Sequence, residues 1–220
     1  MIKVDLHIHT FHSPDANTTF EELTSKCRQV GLDAIAIADH GTIEGALEFL
    51  ETRPPFQVIV AEEILTHHGE IMGMFLKQTI PSGNSVEWTI KAIREQDGLI
   101  CVPHPFDPVR SSALESRTLK NLAETQQIDV LEVMNARYMF KSSSRQAVKF
   151  AERYGLPKTA GSDAHSQGEI GSVYLKMPNF TNKAEFLEGL KKASHFGHNR
   201  SPLIHIGSMA RKLTRKVKKP

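Results

Sequence analysis

Two cysteines in 220 residues, Cys27 and Cys101, are too few and too far apart for a disulfide framework or a zinc knuckle. Both sit inside apolar stretches, the setting of reduced core thiols. No run approaches the roughly eighteen apolar residues that a membrane span requires, and Met1 to Asp5 is not a basic segment leading into a long apolar one. These absences point to a soluble, cytoplasmic protein in a reducing compartment. An excess of one charge is missing as well: 27 Lys and Arg against 25 Asp and Glu leave a formal net charge of +2, too small to steer the chain toward nucleic acid or anionic lipid. That excess is concentrated in Arg211, Lys212, Arg215, Lys216, Lys218 and Lys219, without which the body is mildly acidic. Internal repeats and low-complexity tracts are absent. With 40% hydrophobic residues, this length suffices for one sizeable core, so the expected organisation is one domain over residues 1–202 and a basic, mobile tail over 203–220.

Short apolar runs at 2–6, 34–38, 57–61, 70–75, 99–102, 130–134 and 158–160 read as seven strands. Helix signals lie between most of them. Thr19 with Glu22 forms a capping box closed by Gly31, Asn84 with Glu87 opens a helix that stops at Gly98, Ser143 opens one that stops at Gly155, and Asn182 with Glu185 starts one running toward His195. Only residues 65–69 separate the third and fourth strands, which predicts a hairpin there instead of a helical crossover. A run apolar throughout, such as AIAIA at 34–38, belongs in a sheet covered on both faces, so the architecture is α/β with a largely parallel sheet.

The chemistry collects where the apolar runs give out. The first run leads into His7-Ile8-His9, and strand alternation puts the two imidazoles on one face, about 7 Å apart. The second leads into Asp39-His40, the third into Glu62-Glu63, the fifth into His104, the sixth into Glu132 to Asn135, and the seventh into Asp163-Ala164-His165. Taken singly, each has an ordinary structural reading: a lone histidine as a core residue, Asp39 as a helix N-cap. As a set they do not, because burying so many ionisable groups together without cations costs several kcal/mol per unpaired charge. Ligand-type residues at nearly every strand end favour a closed barrel, whose catalytic face lies there, over a doubly wound sheet with one switch point. Imidazole and carboxylate without thiolate suits Zn, Mn or Fe.

These residues carry a resemblance. DLHIHT at 5–10, the aspartate of FHSPDA at 11–16, ADHGT at 38–42, AEEI at 61–64, PHP at 103–105 and GSDAH at 161–165 are similar to the motifs of the polymerase and histidinol phosphatase (PHP) family of metal-dependent phosphoesterases. The resemblance implies a distorted seven-stranded (β/α)7 barrel, TIM-like, with up to three metal ions, hydrolysing phosphomonoesters or, in some members, phosphodiesters; the number of candidate ligands and their donor chemistry lead us to expect two to three divalent ions (Zn, Mn or Fe). It assigns His7, His9, Glu63 and Asp163 to one metal, with Glu63 bridging to a second that takes His104. Asp15, His40 and His165 hold another. Glu70, in GEIMGMF at 69–75, stands where some members have histidine, a departure that makes the site harder and more anionic; its alternative is an ordinary hairpin charge.

The implied mechanism uses a metal-bridging hydroxide, with Asp163 and His165 at the reacting centre and Arg110 and Arg137 available to phosphate oxygens; either arginine could equally be a surface salt-bridge residue. His12, His67 and His68 are expected as solvent-exposed loop histidines. The expected partner is a small phosphorylated substrate. Amide hydrolysis is the alternative enzyme reading, disfavoured because no strand-end lysine lies between Glu63 and His104 to be carboxylated. A nucleic-acid-associated editing or non-catalytic module is the other alternative, supported only by the basic tail. The sequence leaves the oligomeric state open.

Overall fold

The computed structural model describes residues 1–197; the basic tail and the expected boundary at 202/203 lie outside the described residues. A single sheet organises the chain. It holds β1 (Ile2–Ile8), β2 (Ala34–His40), β3 (Gln57–Thr66), β4 (Gly69–Met74), β5 (Leu99–Val102), β6 (Val130–Asn135), β7 (Lys158–Gly161), β8 (Val173–Met177) and β9 (Ser194–Gly197), in the order β7-β6-β5-β4-β3-β2-β1-β8-β9. Around it lie α1 (Phe20–Val30), α2 (Glu44–Glu51), α3 (Val86–Glu95), α4 (Ser116–Glu124), α5 (Lys141–Tyr154) and α6 (Lys183–Leu190). The sheet nearly closes. Past the end of β7, Ala164 bridges Ile8 in parallel, with His9 N–H donating to Ala164 O at 2.9 Å and Ala164 N–H to His7 O at 3.3 Å.

Alternation along β2 sets the layers. Ala34, Ala36 and Ala38 face the barrel interior with Val4, Leu6, Ile59, Ala61 and Met72, while Ile35 and Ile37 face outward onto Leu23 and Cys27 of α1 and Ala46 and Phe49 of α2. Small side chains inside and branched ones outside fill the interior as a packed core, not a channel. The third and fourth strands form the expected hairpin, paired antiparallel from Ala61↔Met74 to Thr66↔Gly69. Cys27 and Cys101 are buried and free. No described helix is long and apolar enough to cross a membrane.

Several expectations are corrected. Among the described residues the strands number nine, not seven: β8 pairs antiparallel with the first half of β1 and β9 with β8, so the sheet is a ring of β1 to β7 with two strands added at its lower seam. The stretch that becomes β9 sits where a helix was expected to run on toward His195, but α6 ends at Leu190. Ser85, not Asn84, caps α3 by accepting from Trp88 N–H, and α5 begins at Lys141 instead of Ser143. Two helices, α2 and α4, were not anticipated. Their N-caps, Ile43 and Glu115, make no side-chain cap bond, so the sequence carries no start signal for either.

Candidate metal centre

A bulge aims the first two histidines. Four residues of β1 from Asp5 to Ile8 lie opposite three of β2 from Ile35 to Ile37, and the extra residue breaks the alternation. Val4 and Leu6 therefore face the core, whereas His7 and His9 also turn inward at the mouth, the C-terminal end of the ring. The pleat sorts the other pairs. His40 and Glu63, register partners on β2 and β3, face the centre, while Asp39 and Glu62 lie on the outer face. Because β4 runs antiparallel, it delivers a carboxylate to the mouth from its start, and Glu70 is buried there, not a surface hairpin charge.

All nine ligand candidates converge. Glu63 is central: its Oε1 lies 2.9 Å from His104 Nε2 and 3.2 Å from His7 Nε2, and its Oε2 lies 3.3 Å from both His9 Nε2 and His40 Nδ1. Asp163 Oδ1 is 3.3 Å from His9 Nε2, 3.4 Å from His165 Nδ1 and 3.7 Å from His7 Nε2. Asp15 Oδ1 stands 3.6 Å from His40 Nε2 and 3.5 Å from His165 Nε2. Glu70 reaches His40 Nδ1 at 3.7 Å and His104 Nε2 at 3.4 Å. Within this cluster His7 Nε2, His9 Nε2, Glu63 Oε2, Glu70 Oε2 and Asp163 Oδ1 are buried without a hydrogen-bond partner. Three sets place their ligand atoms within 4.8 Å of one another: His9, His40 and His165; His7, His9 and Glu63; and His40, Glu63 and Glu70. Orphaned lone pairs of mixed nitrogen and oxygen donors fit divalent cations, since leaving each buried polar atom unmatched costs about 1–3 kcal/mol.

The electrostatics follow from this crowding. Burial opposes protonation of His7, but the carboxylates of Glu63, Asp163 and Glu132 outweigh it and hold the imidazole well above its usual pKa. Burial, with His165 and His40 alongside, lowers His9 to about 4. Burial would raise Glu63 and Asp163, yet the neighbouring histidines, and Arg110 in the case of Asp163, hold both well below the usual carboxylate range.

Two of the loops turn sharply out of their strands. His104 and Asp163 take φ of 33° and 51°, a left-handed region that histidine and aspartate enter more readily than most side chains. The surroundings here are specific. Glu132 Oε2 accepts from His104 N–H at 2.6 Å, and Asp163 Oδ2 accepts from Asn135 Nδ2 at 3.2 Å and from Arg110. Glu132 Oε1 also meets His7 Nδ1 at 3.0 Å, the carboxylate backing typical of a ligating imidazole. Asp5, buried beneath, accepts from Ser162 N–H and Gly171 N–H at 2.9 Å each and ties β1 to the β7 loop; burial pushes its carboxyl up to about 6.

The remaining sequence candidates fall into place unevenly. Arg110 enters the cluster at Asp163 Oδ2, 2.5 Å away. Arg137 is buried and ion-paired to Glu169 at 2.9 Å, so neither arginine is a surface salt-bridge residue. Asp39 is not a helix N-cap; it accepts from Thr10 and Ser13 in the loop after β1. Glu62 accepts from Ile80 N–H at 2.9 Å, and burial pushes it up to about 7. His67 and His68 are exposed as expected, but His12 is half-buried, between Thr10 Oγ1 and Glu48. The roles of Glu132 and Ser13 were not foreseen.

Residues 141–194 match a family profile described as PHP-associated. An uncharacterised protein of Methanocaldococcus jannaschii, MJ0417, is 32% identical over 198 residues, covering 86% of this chain and 79% of its own length. A probable phosphatase of Caldicellulosiruptor saccharolyticus is 25% identical over 201 residues, covering 77% of this chain and 82% of its own. In fold, the chain is similar to a two-domain protein of Bacteroides vulgatus described as containing a predicted PHP-like metal-dependent phosphoesterase, with a TM-score of 0.66 at 16% identity over 96% of this chain and 69% of that one.

Proposed function

Because this chain belongs to the polymerase and histidinol phosphatase (PHP) family, we propose that it is a metal-dependent hydrolase of small phosphomonoesters, working with about two or three divalent cations. The observation that carries this reading is the convergence of buried donor atoms without hydrogen bonds on Glu63 and Asp163. His7, His9, Glu63 and Asp163 would hold one cation; Glu63, His104 and Glu70 a second; Asp15, His40 and His165 a third. The donor set fits Zn, Mn or Fe, and the carboxylate of Glu70 makes the second group the hardest. Such cations supply positive charge to phosphate oxygens and lower the pKa of water toward neutrality, the two requirements for attack on an anionic ester.

The protein's own groups do the positioning. Arg110, on the loop after β5, sits with its guanidinium against Asp163 and offers further N–H donors to a phosphate oxygen. Arg137 is engaged by Glu169, which also accepts from Ser166 Oγ, so of the two arginines we assign Arg110 to the phosphate and Arg137 to holding the 166–169 turn beside His165. His165 donates Nδ1–H to the Asp163 carbonyl at 2.9 Å, which turns its Nε2 toward Asp15. Among the described residues, no serine or cysteine nucleophile is required.

A panel of sugar, nucleotide and amino-alcohol phosphates under added Mn²⁺ or Zn²⁺, run beside amide substrates, tests the reading. Release of inorganic phosphate that chelator abolishes and metal restores is expected. Turnover of amides with none of the phosphates would overturn it.

A further inference from the structure

A single hydroxyl touches two of the three ligand groups. Ser13, fully buried in the loop after β1, has its Oγ 2.6 Å from Asp39 Oδ1, 3.1 Å from His9 Nδ1 and 3.1 Å from the backbone N of His40. A hydroxyl has one proton to give and two lone pairs. Here the short bond to the carboxylate takes the proton, so the lone pairs accept from His40 N–H and from His9 Nδ1–H. His9 is thereby held in the tautomer that leaves Nε2 bare, and Nε2 is the atom that faces Glu63 and Asp163 at 3.3 Å without a hydrogen bond.

Asp39 is itself built in. Thr10 donates its N–H to Oδ1 at 2.8 Å and its hydroxyl to Oδ2 at 2.7 Å. The first turn of α2 presses so closely on this pair that a Cβ on Gly45 would collide with Asp39 Oδ2 and Thr10 Oγ1. The same loop carries Asp15 two residues beyond Ser13, and its turn is closed by Ser13 N–H to Thr10 O at 3.1 Å and Ala16 N–H to Ser13 O at 3.3 Å. His9 is the residue shared by two ligand sets, one with His7 and Glu63 and one with His40 and His165, at ring-centroid distances of 4.5 Å to His40 and 4.2 Å to His165.

We propose that Ser13 and Asp39 are positioning residues that couple the loading of the group containing His7 and Glu63 to that of the group containing Asp15, His40 and His165, an inference that rests on the metal-centre reading above. Removing the Ser13 hydroxyl releases the His9 ring, the His40 backbone and the loop bearing Asp15 together. The third group then loses affinity although none of its ligands has changed.

The test uses two readouts. Nitrogen-15 NMR of the metal-free wild-type chain, with His9 assigned by its absence in His9→Gln, is expected to show His9 protonated on Nδ1. Equilibrium dialysis with Mn²⁺ is expected to show Ser13→Ala binding roughly ten- to a hundredfold more weakly in more than one equivalent, the effect usual for an outer partner of a ligating histidine. Asp39→Asn, which keeps one acceptor oxygen, is expected to fall between the two. A wild-type His9 protonated on Nε2 would overturn the proposal, whether or not Ser13→Ala folds. So would Ser13→Ala and Asp39→Asn variants that bind the wild-type number of ions within about twofold of wild-type affinity. A wild-type chain that takes up no Mn²⁺ would overturn the metal-centre reading, and the coupling with it.

Discussion

His7 and His9 stand two residues apart at the end of β1 and face the same carboxylates, yet they are backed by opposite chemistry. Behind His7 lies an acid, Glu132, 3.0 Å from Nδ1; behind His9 lies a hydroxyl, Ser13, at 3.1 Å. His7 is also held above its usual pKa by the carboxylates of Glu63, Asp163 and Glu132, and His9 is brought down to about 4 by burial and neighbouring histidines. The His-x-His motif looks symmetric in sequence, but a carboxylate behind one ring and a hydroxyl behind the other give the two candidate ligands different support. Charge at this mouth is set chiefly by the clustered groups themselves, Glu63 and Asp163 raising His7 and His165 and His40 lowering His9, and Glu132 adds to the first from behind.

The most severe break comes at the point common to both sides. Asp163 meets His7, His9, His165, Arg110 and Asn135, so Asp163→Asn, like His9→Ala, is expected to remove phosphomonoester turnover while the circular dichroism spectrum stays that of the wild type. Wild-type turnover in both variants would show that the site lies elsewhere. A smaller effect, confined to one side, is expected from Glu132→Gln. Glu132 serves His7 Nδ1, His104 N–H and Asn135 Nδ2, and a single amide oxygen cannot accept from all three. Metal affinity should fall roughly ten- to a hundredfold by calorimetry, and an unchanged isotherm would remove the distinction between the two imidazoles.

The comparison also carries a sign in pH. In the metal-free chain, His9 is depressed to about 4, so from there up to its unfolded value near ~6.5 the unfolded chain binds the extra proton and stability rises with pH. His7 is raised, so above about pH 6.5 the folded chain keeps the extra proton, and its contribution is lost as pH climbs through the folded value. Denaturant midpoints across pH 4–8 should therefore lose part of their acid limb in His9→Asn and keep the alkaline limb; an unaltered acid limb would contradict the assignment. The mildest expected change lies outside both sides. Gly69, at φ 114°, lets Ala113 and Leu114 of the Arg110 loop dock so closely that a Cβ would stand 2.6 Å from Ala113 O. Gly69→Ala should cost about 1–3 kcal/mol in thermal unfolding and raise KM more than it lowers kcat.

What could be read in advance follows the range of the interactions. Most of the candidate ligands were legible because their strands are apolar runs that break into imidazole or carboxylate, Asp15 and Glu70 only through the family resemblance, and the β3–β4 hairpin because so short a connection as residues 65–69 cannot form a crossover. Glu132 and Ser13 were not, because their contacts join strangers in sequence: 125 positions separate His7 from Glu132, and 26 separate Ser13 from Asp39. The bulge in β1 was equally hidden, since period-two alternation cannot say that Leu6 and His7 both turn inward. The uncapped α2 and α4 lack a local start signal and β9 buries no residue, whereas VYLKM in β8 alternates as a strand should and only its antiparallel seat on β1 is hidden from the sequence.

Metal content tests the central claim most directly. Elemental analysis of the chain purified without chelator, then reconstituted with Mn²⁺, Fe²⁺ or Zn²⁺, should find about two to three ions per chain, the number for which nine convergent nitrogen and oxygen ligand candidates are suited. Less than about one equivalent after reconstitution would contradict the account, because the buried lone pairs around Glu63 and Asp163 would then have no partner at all.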